Sequence, residues 1–313
     1  MKSLGDLLKD ERVCARLDEI ADMYQDYVNV YKRYNMERLV PLDNGRVDMR
    51  RYLMISGEEK YLLIEKDIDH CNEMSLQYSY LGDIAGTDII MPKILHKNCQ
   101  KNFEGKECSF LVFTYVEGEP LKEYLKKSDS VDTYNLGIQA GEALKKLHSV
   151  QVKWPCMPWW TRHGWTHDRF VRDYQPAPEF DKAFECYKDS AVLMDGRSSS
   201  FLNYNVTMDN FFVCNGKIGF EDFSDIFKGD GYYEFRFCAQ MALENADFVN
   251  GMINGYFDNN VPDNFFPLLR YYTCELILDD LRKIGDVETV EKISEAYDGF
   301  ELTVPKWYKS GIN

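Results

Sequence analysis

The residues whose types and spacing carry the most chemistry lie in the second half of the chain. Asn203-Tyr-Asn-Val-Thr-Met-Asp-Asn210 precedes a short β-rich run, a turn at Asn215-Gly216, a second run ending at Phe220, and then Glu221-Asp222-Phe223. Asn210 and Asp222 thus flank one hairpin, whose base can bring an amide oxygen and a carboxylate together. That donor pair suits Mg²⁺, which takes few protein ligands and keeps waters or phosphates on its other positions. Asn and Asp also cap and bend loops, so turn residues are the competing reading. His163 and His167 sit in Trp159-Trp-Thr-Arg-His-Gly-Trp-Thr-His-Asp168, where Asp168 alone could complete a metal set. This aromatic stretch reads better as the lining of a cleft or as packing under a loop. Glu275, Asp279 and Asp280, at i, i+4 and i+5 of a helical pattern, form either a solvated face or a seat for an amine.

Several elements must position these groups. The first 40 residues have helical spacing, with Leu4, Leu7, Leu8, Val13, Leu17 and Ile20 on one face. Arg51–Ser56 and Tyr61–Glu65 are β-rich runs separated by Gly57-Glu-Glu-Lys, a hairpin signature. Cys71–Leu81 returns to helical spacing; Ile89–Leu95 and Ser109–Val116 are strand-like again. Past Gly118-Glu-Pro120 the texture is helical. Tyr134–His148 is an amphipathic helical run, whose terminal His148 suits the negative end of a helix dipole. Trp154–Pro178 shows no period, Asn215-Gly216 turns a second hairpin, and Phe235 to about Phe300 is helical. The expected architecture is α+β in two parts. A helical extension over 1–40 leads to a small antiparallel sheet with one helix over 41–116, then to a larger, mostly helical part over 117–313.

Composition narrows the function. The chain has 313 residues, 37 Lys+Arg against 52 Asp+Glu, and a net charge of −15. A chain of this length buries roughly three quarters of its unfolded surface, so it needs no disulfide or metal to fold. The acidic balance argues against nucleic acid, whose phosphates are bound by Lys and Arg, and favours cationic small molecules. Met1-Lys2-Ser3 leads into an amphipathic stretch rather than an apolar signal core, and no apolar run could span a membrane. Nine scattered cysteines without a C-x-x-C suggest buried, inert thiols in a reducing cytoplasm.

The order of the motifs resembles the aminoglycoside phosphotransferase and choline kinase family, small-molecule relatives of the protein kinases. That family carries H-G-D-x-x-x-x-N, a hairpin, I-D-[FW] and G-D-P-x-x-[DE]. Here the corresponding residues are Asn203-Tyr204-Asn205 with Asn210, Glu221-Asp222-Phe223, and Gly229-Asp230-Gly231 with Glu234. Phe113-Thr-Tyr-Val-Glu-Gly-Glu-Pro-Leu121 is similar to the family's hinge, and Leu136-Gly with Leu144-Lys-Lys-Leu-His148 to one of its helices. The tail, with Gly251-Met-Ile-Asn-Gly-Tyr-Phe-Asp258, is similar to a bacterial branch of the family. The likeness runs from roughly Asn44 to Tyr308. It implies a bilobal protein-kinase-like fold with a five-stranded antiparallel sheet in the N-lobe. It also implies ATP against the hinge backbone of Thr114, Tyr115 and Val116, Mg²⁺ on Asn210 and Asp222, and transfer to a hydroxyl of a small, cationic acceptor. Asp230 and Glu234 would hold loop geometry.

Three departures bear on activity. The family's proton-accepting Asp is Asn205 here, and an amide takes no proton at neutral pH, although it can still orient a hydroxyl. The cation that grips the α/β-phosphates is Ile64; Lys66, two residues on, could substitute, and Glu73 matches that cation's usual partner. The loop over the nucleotide offers a single glycine, Gly45. The resemblance therefore implies an O-phosphotransferase impaired at Asn205 and Ile64, with a catalytically inactive ligand-binding module as the alternative.

Overall fold

A computed structural model of the chain describes residues 32–42, 49–67, 88–101, 107–127, 131–150, 159–221 and 227–310. The expected helices over 1–40 (up to residue 31) and Cys71–Leu81, together with Gly45, Glu73 and Asp222, lie outside the described residues. The chain divides into two compact units, one up to Glu117 and one from Gly118.

The first unit is built on strands β1 (Arg38–Leu42), β2 (Met49–Ser56), β3 (Glu59–Asp67), β4 (Ile94–Lys101) and β5 (Glu107–Thr114), in the spatial order β1-β2-β3-β5-β4. All pairings are antiparallel. The β2–β3 hairpin closes through Gly57 and Glu58, with Ser56 opposite Glu59; Gly57 takes φ 58°, which favours glycine. Strand β3 is central, and Leu62, Leu63 and Ile64 are all buried in sequence, so it faces apolar neighbours on both sides. Leu63 joins Met36, Met54 and Val112 in one cluster. The run expected at Ile89–Leu95 enters the sheet only at Ile94, since Pro92 lacks an amide hydrogen for a ladder. The register then slips between Ile94 and His96, leaving Leu95 at a bulge.

The second unit opens with β6 (Glu119–Pro120) and α1 (Leu121–Lys126), then α2 (Thr133–Ser149), α3 (Trp159–Asp173) and α4 (Pro178–Asp189). After a 3₁₀ turn come β7 (Ser200–Leu202), the hairpin β8 (Phe211–Cys214) and β9 (Lys217–Phe220), and β10 (Phe227–Gly229). A 3₁₀ stretch, Gly231–Phe237, leads into α5 (Cys238–Tyr256), α6 (Phe265–Leu276), a π turn at Ile277–Leu281 and α7 (Val287–Ala296). The β8–β9 turn has Asn215 and Gly216 both at positive φ, as a two-residue hairpin requires. The segment read as lacking a period contains the 15-residue α3. Its inward positions, Trp159, His163 and His167, are four apart, and imidazoles occupy places where an apolar residue would have revealed the helix.

Helices α2 and α5 run in the same direction and touch through backbone. A Cβ on Gly137 would lie 2.1 Å from the Phe248 carbonyl oxygen, and one on Gly141 would lie 2.0 Å from that of Met252. Gly251 and Gly255 meet Tyr134 and Ile138 in the same way from the other side. Helix α5 is interrupted at Asn245 (φ −155°, ψ 93°), whose side chain accepts from the Phe248 amide and restarts the helix. Because both partners in the α2–α5 contact are backbone, neither can rotate away. Gly141→Ala is expected to cost about 3 kcal/mol by urea denaturation, whereas Gly164→Ala, where a Cβ meets nothing within 4 Å, should be nearly neutral or slightly stabilising.

Candidate functional site

The loop from Asn203 to Asn210 connects β7 to β8, and its shape is held from outside. Tyr204 sits at φ 69°, a region costing a residue with a Cβ about 1–2 kcal/mol. Two side chains fix it there. The Tyr204 amide donates to Glu234 Oε1 at 2.6 Å, and Arg236 Nη2 donates to the Tyr204 carbonyl at 2.6 Å. The Arg236 guanidinium also lies over the rings of Tyr204, Tyr233 and Phe237 at 4.5, 4.2 and 4.2 Å. Glu234 is fully buried, and its other oxygen lies 2.8 Å from His148 Nε2. His148 Nδ1 in turn lies 2.8 Å from the Tyr256 hydroxyl. His148 is thus structural, as the helix-end reading expected, but through its two ring nitrogens, which tie the ends of α2 and α5 to the loop.

Asp230 anchors the next stretch. It takes a bidentate pair from Arg197 at 2.7 and 2.8 Å, the Tyr272 hydroxyl at 2.8 Å and the Tyr232 amide at 3.1 Å. Both acids therefore hold backbone rather than face solvent.

Within the loop, Asn205 and Asn210 are brought together. Asn210 Nδ2 donates to the Asn205 carbonyl at 2.8 Å, and the Thr207 amide donates to the same oxygen at 3.1 Å. The Asn210 side chain is 3% exposed. Across the hairpin base the Glu221 amide donates to the Asn210 carbonyl at 2.8 Å, next to the Phe211–Phe220 pair. The register thus sets Asn210 beside Glu221, the residue before Asp222. Asn203 is also buried, and neither of its amide atoms has a hydrogen-bond partner among the described residues.

In the first unit, Ile64 is 1% exposed within the sheet core. Strand β3 continues through Asp67, so Lys66 lies inside it, paired with Met49 and Ser109. Alternation along the strand puts positions 64 and 66 in the same phase. Thr114 ends β5, and its amide donates to the Lys93 carbonyl at 2.8 Å; the Tyr115 amide reaches the Lys60 carbonyl at 3.4 Å. Lys60 also pairs with Glu117 at 2.5 Å, just past Val116.

Other candidates resolve differently. His163 and His167 are buried in the aromatic core, His163 stacked on Trp159 at 4.9 Å, and no metal-holding group of three or more His, Cys, Asp or Glu occurs among the described residues. Burial pushes the His167 imidazole below its ordinary range. Glu275 does not share a solvated face with Asp279 and Asp280. It is buried, with Oε2 2.8 Å from His163 Nε2, and the π turn begins two residues later. No described helix is long and apolar enough to cross a membrane.

Comparison with known proteins gives this arrangement a family. The profile of the phosphotransferase enzyme family matches residues 44–264, and the chain belongs to that family. The aminoglycoside phosphotransferase APH(4)-Ia is similar over 87% of this chain and 97% of its own, at 15% identity and a TM-score of 0.65. Spectinomycin phosphotransferase APH(9)-Ia, solved with ADP and spectinomycin, covers 89% and 97% at 13% identity and a TM-score of 0.56. A GDP complex of aminoglycoside 2′-phosphotransferase-IIIa covers 88% and 98%, at 13% identity and a TM-score of 0.61. No curated protein matches the sequence. The fold is the protein-kinase-like α+β arrangement, with its antiparallel sheet in one unit and its helices mostly in the other.

The Glu234 carboxylate carries the loop geometry, so its removal should be felt at Tyr204. Glu234→Ala is expected to lose about 3 kcal/mol of stability and the exchange protection of the Tyr204 amide. Glu234→Gln, which keeps an acceptor for that amide, should lose markedly less by the same denaturation and hydrogen-exchange measurements.

Proposed function

We propose that the chain is an ATP-dependent O-phosphotransferase for a small hydroxyl-bearing molecule, slowed by the residues at 205 and 64. The observation that carries this reading is the Asn205–Asn210 unit: a buried amide pinned by its nitrogen to the loop backbone at the base of the hairpin that leads into Asp222. With Nδ2 committed to Asn205, Asn210 would bind Mg²⁺ through Oδ1, and Asp222 would be the second ligand. A hard oxygen pair of this kind fits Mg²⁺, which when bound would neutralise phosphate charge. Asn205 orients the acceptor hydroxyl but takes no proton from it. The Thr114 and Tyr115 amides already donate within the sheet, so the Val116 amide is the donor this segment offers an adenine edge. Lys66 takes the phosphate-facing role that Ile64 lacks, with Glu73 as its partner and Gly45 in the covering loop.

The helical extension expected over 1–40 cannot reach residue 40, because β1 begins at Arg38 and pairs with β2. In this reading 41–116 handles the nucleotide and 117–313 handles the metal and acceptor. The net charge of −15 favours a cationic acceptor in the cytoplasm and disfavours nucleic acid. Structural neighbours solved with hygromycin B and AMP-PNP, or with spectinomycin and ADP, support a nucleotide and a polar, amine-bearing acceptor.

A second reading, a ligand-binding module without transfer, draws on one observation. Ile64 is packed into the sheet core where the family carries its phosphate-gripping cation. Turnover separates the two. Loss of a general base slows transfer by about 10²–10⁴. Across a panel of aminoglycosides, macrolides and aminoalcohols, wild type should form ADP slowly and only with an acceptor. Asn205→Asp should then raise the rate by about 10²-fold or more. Acceptor-dependent ADP formation by neither protein would favour the inactive module.

A further inference from the structure

Away from the loop and hairpin, the end of α3 and the segment around the π turn line one cavity of about 280 Å³. Phe170, Tyr174 and Leu278 give it an apolar wall, and Arg169 and Arg282 supply two guanidiniums. Among its described lining residues the only acid, Asp173, is already engaged. Arg172, which does not line the cavity, donates to both oxygens of that carboxylate at 2.7 and 3.0 Å. In a chain of net charge −15, a cavity left with two uncompensated cations runs against the overall balance.

The two arginines are held differently. Arg282 is fixed in advance: Nη2 donates to the Gln175 carbonyl at 2.5 Å, and Cζ lies 4.7 Å from the centre of the Tyr174 ring. That ring is anchored in turn, its hydroxyl donating to Asp181 Oδ1 at 2.8 Å. Arg169 is exposed and, among the described residues, makes neither a hydrogen bond nor an ion pair. An open guanidinium fork beside a fixed one suits a planar carboxylate, which accepts paired N–H bonds.

We infer that this cavity binds a small carboxylate with an apolar body. Arg169 and Arg282 hold the carboxylate, and Phe170, Tyr174 and Leu278 cover the rest. Two features select a carboxylate over a phosphate. The apolar wall is filled by an apolar body and left wet by inorganic phosphate. A phosphate group also brings roughly −1.5 to −2 charges at neutral pH, and both Asp173 and the −15 field of the chain repel the second charge. The site takes a ligand of opposite charge to the acceptor proposed above and is built from other residues. It therefore does not rest on the phosphotransferase reading. Because Leu278 belongs to the π turn and Phe170 to α3, the bound ligand fastens those two segments together.

The test is titration of the full-length protein with phenylacetate, followed by calorimetry. Binding should saturate at one ligand per chain and weaken as sodium chloride is raised, because charge pairs near the surface are screened. Acetate, which lacks the ring, and phenylacetamide, which lacks the charge, should each bind about ten-fold more weakly or worse. Arg169→Gln should lower the affinity for phenylacetate by a similar factor. It should leave the thermal unfolding of the ligand-free protein unchanged, since the side chain is exposed and unpaired among the described residues. The inference is overturned by any of four results: no saturable binding of phenylacetate at millimolar concentration, equal binding of phenylacetamide or phenethylamine, tighter binding of inorganic phosphate, or undiminished binding by Arg169→Gln.

Discussion

A single buried carboxylate holds this structure's central loop in place. Glu234 has no exposed surface, and its two oxygens point to different parts of the fold: one to the amide of Tyr204, the other to His148 at the end of α2. Without the first bond, Tyr204 would be held at a positive φ that its side chain disfavours by Arg236 alone. Without the second, the loop would lose its registration on the α2–α5 pair, where Tyr256 completes the link. The glycine contacts between those helices matter for the same reason. They let α2 and α5 approach until backbone meets backbone, which fixes where His148 and Tyr256 stand. Local strain at the loop is thus balanced by hydrogen bonds whose geometry is set two helices away.

The proposed reading separates the loop's chemistry from its geometry. Asn205 contributes its carbonyl to Asn210 and Thr207, and that backbone role does not depend on whether the side chain is an amide or a carboxylate. On the proposed reading, an Asn at this position would lack a proton acceptor while leaving the frame intact. Position 64 follows the same logic. The isoleucine there is 1% exposed and packs in the sheet core, so the strand gains apolar burial where the resemblance implies a charge.

Much of the fold was legible because its signals were local. Gly57 and Asn215-Gly216 mark the two tight hairpins, and Asp132 caps an α2 whose buried face, Leu136, Ala140, Leu144 and Leu147, is plain in the spacing. Other features were hidden by residue type. Helix α3 buries histidines at its inward positions, and Glu275 lies in the core beside one of them, so a pattern search that scores both as polar finds neither. The entry of β4 was displaced by Pro92. At the site, the flanking of the hairpin by Asn210 was readable from spacing. The positive φ at Tyr204 was not, because nothing local marks a tyrosine for that conformation. It exists because Glu234 and Arg236, thirty or so residues later, hold it there.

On the proposed reading, these features form a frame for a nucleotide's phosphates and a metal, whatever the rate of transfer. Titration calorimetry of Mg²⁺ and AMP-PNP into the full-length protein tests that most directly, because it needs neither an acceptor nor turnover. Saturable binding of one nucleotide per chain, lost in Asp222→Ala, is the result this account predicts. A wild-type protein that takes up no nucleotide, with or without Mg²⁺, would contradict it.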